Sequence, residues 1–154
     1  MKNEKDCNNI LIRLMNIEDI DEVIDIEKSS FDTPWSKSSF ESEILHNNLA
    51  YYFVAEYNGH VIGYAGMWFV IDEGHITNIA IHPVCRGKGW GEKLVRFMIE
   101  YAYGLGVKSL TLEVRTTNEP AIGLYEKIGF VGHGIRKGYY QETNEDALIM
   151  WIEI

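Results

Sequence analysis

The residues of this chain whose types and spacing best suit ligand binding form a short glycine-rich stretch, Arg86-Gly87-Lys88-Gly89-Trp90-Gly91. Glycine permits positive φ angles and a close approach of the backbone to a ligand, so the N–H groups of this stretch can turn toward one point. Such a stretch before a helix is a cradle for a phosphate group. Arg86 and Lys88 add positive charge. The stretch alone does not distinguish a cradle from a glycine-rich connector with solvated basic side chains.

The spacing of these glycines excludes two common classes of phosphate site. A P-loop has four residues between its first glycine and a Gly-Lys-Ser/Thr, whereas Gly91 is followed by Glu92-Lys93-Leu94. The dinucleotide fingerprint is Gly-x-Gly-x-x-Gly, whereas this chain has Gly87-x-Gly89-x-Gly91. A phosphate ligand of another class is therefore expected.

The glycine-rich stretch must be positioned by the elements on either side of it. A strand at His75 to Ile81 precedes it, and a helix with apolar residues at helical spacing begins after it at Glu92. A further strand follows at Ser109 to Arg115, in which apolar and polar residues alternate. The order of strand, helix and strand predicts a parallel, right-handed crossover.

The amino-terminal half is predicted as a strand, two helices and a hairpin. The strand runs from Ile10 to Leu14, and the hairpin joins its two strands through Asn58-Gly59, a type I′ turn signal. The two helices begin at capping signals, which are Asn16 with Asp19 and then Ser36. The next turn is predicted at Asp72-Glu73-Gly74.

The carboxyl-terminal part is predicted as a short helix and two strands. Asn118 is predicted to cap a helix from Glu119 to Ile128. The final strands, Phe130 to Ile135 and Ala147 to Ile154, flank a polar loop that carries tyrosines.

Length, charge and cysteine content narrow the class of protein. The 154 residues fit a polar extension at 1–9 and one domain at 10–154. The formal charge of −9 argues against general nucleic-acid binding, which depends on a basic face. Cys7 and Cys85 show no disulfide or zinc spacing, so we expect a reducing, cytoplasmic setting and no metal. Neither a signal peptide nor a membrane span is evident.

Several motifs across Ile10 to Ile154 together resemble a known family, the GNAT superfamily of acyl-coenzyme A N-acetyltransferases. The motifs are Ile79-Ala80-Ile81-His82-Pro83, Arg86-x-x-Gly89-x-Gly91, Asn118, and Ala121-x-x-Leu124-Tyr125-x-x-x-Gly129-Phe130. More specific strings resemble the ribosomal-protein-alanine N-acetyltransferases of the RimI type. These are Phe31 to Ser36, Leu112-Glu113-Val114-Arg115, Gly138-Tyr139-Tyr140 and Asp146 to Met150.

The resemblance implies an α/β fold with a mixed, mostly antiparallel sheet, flanked by about four helices. That sheet is expected to splay between the strands of Ile79 to Ile81 and Leu110 to Arg115, and acetyl-coenzyme A is expected in the opening. The resemblance assigns cofactor binding to the backbone of the first of these strands and to the glycine-rich loop. The residues concerned are Ile79, Ala80, Ile81, Arg86, Gly87, Lys88, Gly89, Trp90, Gly91, Glu92 and Asn118.

The chemistry implied by the resemblance is attack of a neutral amine on a thioester, which needs one base and one acid. By resemblance, Glu113 is the general base and Tyr125 is the general acid that protonates the coenzyme A thiolate. Sequence alone would favour a solvated strand carboxylate and a half-buried core tyrosine. The histidines His75, His82 and His133 show no ligand spacing and are interpreted as ordinary strand or loop residues.

The resemblance implies that the acceptor is the N-terminal alanine of a basic small-subunit ribosomal protein, and proton cost also favours an α-amine. An α-amine titrates near ~7.8 and lysine near ~10.4, so deprotonating lysine costs roughly 3 to 4 kcal/mol more at neutral pH. Trp35, Tyr139 and Tyr140 are candidate walls of a peptide groove, with core packing as the alternative. A GNAT enzyme for a lysine side chain or a small amine, and a non-catalytic acyl-coenzyme A-binding module, remain alternatives.

Overall fold

The structure is a computed structural model that describes residues 9–154. Predictions for Cys7 and for most of the amino-terminal extension therefore lie outside the described residues. The described residues form seven strands and four α-helices. In chain order these are β1 (Leu11–Leu14), α1 (Ile20–Ser30), α2 (Lys37–His46), β2 (Ala50–Tyr57), β3 (His60–Val70), β4 (Glu73–Ile81), α3 (Trp90–Gly104), β5 (Ser109–Arg115), α4 (Glu119–Ile128), β6 (Val131–Tyr140) and β7 (Glu145–Glu153).

The strands of residues 9–154 form one mixed sheet in the order β1-β2-β3-β4-β5-β7-β6. The pairs β1–β2, β2–β3, β5–β7 and β6–β7 are antiparallel. Strands β4 and β5 are parallel, which confirms the prediction from the strand–helix–strand order. Their ladder pairs Glu73 with Ser109, Gly74 with Leu110 and His75 with Thr111.

The chain groups into two compact units. Unit 1 contains the residues up to Trp68 together with Thr77–Met98, and unit 2 contains Phe69–Ile76 and Ile99–Ile154. No helix among residues 9–154 is both long enough and apolar enough to cross a membrane.

An apolar cluster forms the core of unit 1 beneath α1 and α2. Ile20, Val23 and Ile26 recur at helical spacing on α1, and all three are buried with Phe40 of α2. Burying one such side chain contributes about 1.5 to 3 kcal/mol. The rings of Phe40 and Tyr64 meet edge to face at 5.6 Å. This packing fixes the two helices on one face of β2 and β3.

The predicted capping signals form at three helix starts. In each case a side-chain oxygen accepts a hydrogen bond from a backbone N–H group that would otherwise be unpaired. The pairs are Asp19 with the Asn16 N–H (2.7 Å), Ser36 with the Ser39 N–H (3.2 Å), and Asn118 with the Ala121 N–H (3.3 Å). Local sequence therefore determines where these helices begin.

The turn between β3 and β4 corrects one prediction, because it lies at Ile71-Asp72 and not at Asp72-Glu73-Gly74. Glu73 and Gly74 belong to β4. A Cβ atom at Gly74 would lie 2.3 Å from Cδ2 of Leu110, so this glycine permits close packing of β4 on β5. The turn instead uses Ile71, whose φ is +59°.

The end of β6 corrects a second prediction. Tyr139 and Tyr140 were expected in a loop, but β6 continues through Tyr140, which pairs with Glu145 of β7. The register of this glycine-rich strand shifts twice, once between Gly132 and Gly134 and again between Arg136 and Tyr140. Glycine suits such irregular positions because it adopts unusual backbone angles. Both tyrosines therefore lie in the strand, and Tyr140 is held by its pairing with Glu145.

We predict that Ile71→Asn stabilises the protein. A β-branched residue at positive φ is strained by about 1 to 2 kcal/mol, whereas asparagine adopts this conformation readily. Ile71 is 89% exposed, so the substitution removes little packing. We expect the free energy of unfolding, measured with urea, to rise by about 1 kcal/mol, and Tm to rise by about 2 to 4 °C.

Val84→Asn is the matched control, because Val84 is also strongly exposed (77%) and its φ is not positive. We expect this variant to change stability by less than about 0.5 kcal/mol. Equal effects of the two substitutions would contradict the assignment of strain to Ile71.

Candidate active site

The glycine-rich loop of unit 1 has the backbone conformation that its sequence predicted. Gly87 and Gly89 have φ angles of +79° and +78°, in the region that favours glycine. A Cβ atom built on either glycine would meet nothing within 4 Å, so the space beside the loop is open. The loop leads into the positive end of α3 at Trp90. These features fit a cradle for a phosphate group.

The guanidinium of Arg86 is held by the chain itself. Its Nε donates to the carbonyl of Ile81 at 2.9 Å, and its Nη2 donates to Ser30 Oγ at 3.0 Å. Arg86 therefore joins the loop to the end of β4 and to the end of α1. It retains its charge, but these contacts use donors that a phosphate would otherwise receive.

The indole of Trp90 lies in the core and not on the open side of the loop. Trp90 is 2% exposed and packs with Ala55 and Ile62. Its ring lies 5.0 Å from that of Tyr57, and Lys88 Nζ lies 5.0 Å from the indole. Trp90 therefore anchors the start of α3, which leaves its backbone as the part that can serve a ligand.

The strand residues before the loop differ in how they pack. Ala80 is buried in the cluster beneath α1 and α2, whereas Ile81 packs with the cluster around Trp90. A Cβ atom at Gly63 would lie 2.5 Å from Cδ1 of Ile81, so the neighbouring strand approaches closely there. Ile79 and Ile81 are half-buried.

Glu113 of unit 2 is a largely buried carboxylate with two basic neighbours. Its side chain is 12% exposed, and its Oε2 lies 2.6 Å from Nε2 of His75. Arg136 Nη1 lies 3.9 Å from Oε1. The hydrogen bond from His75 is the main cause that holds the pKa of Glu113 below its ordinary value, while burial acts in the opposite direction. The carboxylate is therefore ionised at neutral pH.

Two tyrosines of β6 share the surroundings of Glu113. The rings of Tyr139 and Tyr140 meet edge to face at 5.0 Å. Arg136 lies 5.6 Å from the first ring, and Arg115 lies 4.0 Å from the second. Burial, reinforced by the charge of Glu113, raises the pKa of both tyrosines, that of Tyr140 to about 12. Both hydroxyls are therefore neutral donors.

Tyr125 lies on α4 and is 6% exposed. Burial raises the pKa of its hydroxyl to about 12, and Tyr140 adds to this shift. Its ring meets that of Phe130 at 5.7 Å. Tyr125 is therefore a neutral hydroxyl within the electrostatic reach of Tyr140. Asn118, expected at the cofactor, uses its side-chain oxygen to cap the same helix.

Trp35 of unit 1 is held by a buried carboxylate, that of Glu27. The Trp35 N–H donates to Glu27 Oε1 at 3.1 Å, and the hydroxyl of Tyr64 donates to Glu27 Oε2. Glu27 is 2% exposed, and burial raises the pKa of its carboxyl. The Trp35 indole packs on Phe40 at 5.3 Å and also lines a cavity of about 470 Å³ with Asp21 and other residues of α1. Trp35 therefore both packs against a core residue and lines a cavity.

Sequence reasoning missed three residues of these sites. His75 was interpreted as an ordinary strand residue, yet it contacts Glu113, and Arg136 was not singled out. Glu27 was also missed, although it lies four residues after Val23 on the apolar face of α1, and this position was a usable signal. His75 gave no such signal, because its contact depends on strand register. Among residues 9–154, no group of three or more His, Cys, Asp or Glu side chains could hold a metal ion.

Comparisons with known proteins identify the family. Residues 20–130 match the acetyltransferase (GNAT) family. A protein of Bacillus subtilis strain 168, provisionally named ribosomal protein bS18-alanine N-acetyltransferase, is 51% identical over 143 residues, which cover 93% of this chain and 95% of that protein. The ribosomal protein bS18-alanine N-acetyltransferase of Escherichia coli K12 is 35% identical over 145 residues, covering 93% and 97% of the two chains.

A solved structure agrees with this result. The crystal structure of the ribosomal-protein-S18-alanine N-acetyltransferase from Escherichia coli superposes with a TM-score of 0.86 and 33% identity, covering 94% of each chain. The chain belongs to the GNAT acetyltransferase family, and its sheet and helices have the GNAT fold.

We predict that Glu27→Gln makes stability less dependent on pH. Because the pKa of Glu27 is raised in the folded protein, the folded state binds the extra proton, and stability falls as pH rises from about 4.5 toward neutrality. Glutamine carries no charge; its oxygen can accept from the Trp35 N–H and its NH₂ group can donate to the Tyr64 hydroxyl. Relative to the wild type, we expect the variant to gain stability as the pH of urea unfolding is raised from 4.5 to 7.

Glu142→Gln is the control, because Glu142 is exposed. We expect its difference from the wild type to stay constant over the same pH range. A constant difference for Glu27→Gln as well would contradict the raised pKa of the buried carboxyl.

Proposed function

We propose that this protein transfers the acetyl group of acetyl-coenzyme A to the amine of an N-terminal alanine of a ribosomal protein.

 The observation that carries the proposal is Glu113, a largely buried and ionised carboxylate beside two neutral tyrosine hydroxyls, in a GNAT chain. Such a group can accept the proton that an attacking amine must lose. The Escherichia coli relative carries the name of a ribosomal protein bS18-alanine N-acetyltransferase, and this supports the N-terminal alanine of that ribosomal protein as the acceptor.

Acetyl-coenzyme A binding is assigned to unit 1. The backbone of Gly87 to Gly91 and the start of α3 would hold the pyrophosphate, and Lys88 adds charge. The backbone of Ile79 and Ile81 would pair with the pantetheine arm, and the N–H of Ile81 would stabilise the thioester oxygen as it becomes negative. Arg86 would act mainly by fixing the carbonyl of Ile81.

Proton transfer is assigned to unit 2. The amine nitrogen attacks the thioester carbon, a C–N bond forms, and the C–S electron pair leaves with sulfur. Glu113 accepts one proton from the amine, while the neutral hydroxyl of Tyr125, the general-acid candidate, donates a hydrogen bond to the departing sulfur. Solvent takes up the proton from Glu113 and supplies one to the thiolate, so the products are the acetylated amine and the free thiol.

An α-amine is the preferred acceptor because its deprotonation at neutral pH costs less free energy than that of a lysine side chain. The pKa of Glu113 is lowered, so its carboxylate is a weak base and is better matched to an amine that is partly neutral at pH 7. The chain's formal charge of −9 suits a basic ribosomal N-terminus. A ribosomal substrate would place the reaction in the cytoplasm.

The test is incubation of the purified protein with acetyl-coenzyme A and a peptide that begins with alanine and continues with the bS18 sequence. Mass spectrometry then locates the added acetyl group. We expect it on the α-amine. Label only on lysine side chains, or transfer only to small amines, would overturn the assignment of the acceptor, and bound acetyl-coenzyme A without transfer would indicate a binding module.

We predict that Glu113→Gln lowers kcat by roughly 10²- to 10⁴-fold, because the amide cannot accept the amine's proton. Tyr125→Phe removes the hydroxyl and is expected to lower kcat as well. Both are measured at saturating acetyl-coenzyme A by release of free thiol. Glu142→Gln and Tyr103→Phe are matched controls at exposed positions, and we expect both to keep wild-type turnover. Full turnover in either test variant would remove the role assigned to that residue.

We predict that Gly89→Ala weakens acetyl-coenzyme A binding. Alanine disfavours a φ of +78° by about 1 to 2 kcal/mol, so the loop relaxes and binding must restore it. The expected rise in Kd, measured by calorimetry, is about 5- to 30-fold. Gly104→Ala is the control, because Gly104 ends α3 without positive φ and a Cβ atom there meets nothing within 4 Å. Equal Kd values for the two variants would contradict the cradle.

A further inference from the structure

A histidine that the proposed reaction does not use lies against the proposed base. His75 of β4 and Glu113 of β5 are 38 positions apart in sequence, yet Nε2 and Oε2 approach to 2.6 Å. The parallel ladder pairs His75 with Thr111, which lies two residues before Glu113 and therefore on the same face of the sheet. The contact thus follows from the register of two strands.

The direction of this hydrogen bond follows from the charge of Glu113. An ionised carboxylate can only accept hydrogen bonds, so the imidazole must carry its proton on Nε2. The lowered pKa of Glu113 is consistent with this arrangement, because a donor stabilises the ionised form. The other charged or titratable groups around the carboxylate are Arg136, Tyr139 and Tyr140 of β6, while its ladder partner on β7 is the apolar Ile149.

The two carboxylate oxygens of Glu113 therefore have different surroundings. Oε2 accepts from His75, whereas the nearest cation to Oε1 is Arg136, whose Nη1 at 3.9 Å is beyond hydrogen-bonding distance. The side chain of Arg136 is also mostly exposed. The short bond from His75 restrains Oε2, whereas Arg136 lies too far from Oε1 to donate a hydrogen bond to it. The backbone N–H of Glu113 itself makes a smaller contribution to stabilising the ionised carboxylate.

We propose that His75 is a positioning residue for the acetyl transfer: its Nε2–H holds Oε2 of Glu113, so that Oε1 is presented to the acceptor amine. This inference rests on the proposed function, because it requires Glu113 to be the base. The competing explanation is a purely structural link between β4 and β5. The two differ in what happens to the pH dependence of the reaction when the imidazole is replaced.

The experiment compares His75→Gln, His75→Asn and His75→Leu in the full chain. The amide nitrogen of glutamine lies about as far from the backbone as Nε2 of histidine. The side chain of asparagine is shorter, so its amide nitrogen does not reach Glu113. For each variant, kcat and KM for the alanine-starting peptide are measured from pH 5 to 9, together with acetyl-coenzyme A binding and urea unfolding. His133→Gln is the control, because His133 is exposed and its ring makes only a tilted contact with Trp151.

We expect His75→Leu and His75→Asn to lower kcat by roughly 10- to 100-fold through misplacement of the base. Without the donor, the pKa of Glu113 rises, so the acidic limb of the curve of kcat against pH should move to higher pH. His75→Gln should restore most of kcat and return the limb toward its wild-type position. KM, acetyl-coenzyme A binding and the His133→Gln control should change little.

Two results would overturn the inference. One is a wild-type pH profile and kcat in a folded His75→Leu protein; the other is equal activity of the glutamine and asparagine variants. If the leucine variant does not fold, the comparison of glutamine with asparagine decides alone. Nitrogen-15 NMR of the histidine rings adds a readout independent of activity, since we expect His75 to carry its proton on Nε2, and a proton on Nδ1 alone would overturn the proposal.

Failure of this inference can be separated from failure of the proposed function. If Glu113→Gln is inactive while His75→Leu behaves as the wild type, the base assignment stands and only the role of His75 is wrong. If Glu113→Gln keeps full turnover, Glu113 is not the base, and the premise of the inference is lost with it.

Discussion

The register between β4 and β5 is the constraint on which the chemistry of unit 2 depends. At Gly74 the absence of a Cβ atom leaves room for Leu110, whose side chain would otherwise collide with the facing strand. This close approach accompanies the pairing of His75 with Thr111. A slip by one residue would turn His75 to the opposite face of the sheet and separate it from Glu113. The absence of a side chain at Gly74 is thus linked, through the strand register, to the contact between His75 and the Glu113 carboxylate.

Glu27, which is buried, and Glu113, which is partly buried, show how the same side chain acquires opposite pKa shifts. Glu27 has only neutral donors, the Tyr64 hydroxyl and the Trp35 N–H, so burial dominates and its pKa rises. Glu113 is bonded to His75, so its pKa falls despite burial. Glu27 is suited to holding the segment around Trp35, because its carboxyl group is hydrogen-bonded to both the Trp35 N–H and the Tyr64 hydroxyl. Glu113 is suited to proton transfer, because it is ionised before the amine arrives.

The parts of the fold that sequence could predict are those with local causes. The caps at Asn16, Ser36 and Asn118, and the positive φ angles of the glycine-rich loop, depend on neighbours a few residues away. The contacts of Glu113 with His75 and Arg136 depend on the register of distant strands, which no local pattern specifies. The turn at Ile71 was missed for a related reason, since Gly74 was read as a turn signal although Leu110 on another strand requires it. The resemblance named Glu113 and Tyr125 as site residues, and these roles stay predictions, whereas no local pattern in the sequence indicated the contacts around Glu113.

The raised pKa of Tyr125 limits the role that its hydroxyl could play in the proposed reaction. A thiol titrates near ~8.5, so a complete transfer from a hydroxyl with a pKa of about 12 to a free thiolate is uphill by roughly 5 kcal/mol. A hydrogen bond from the neutral hydroxyl to the sulfur has no such cost and strengthens as negative charge develops during C–S cleavage. Burial also keeps this hydroxyl protonated throughout the physiological pH range. Tyr125 is therefore better suited to stabilise the departing sulfur than to protonate it fully, and solvent can supply the proton after the thiolate has left.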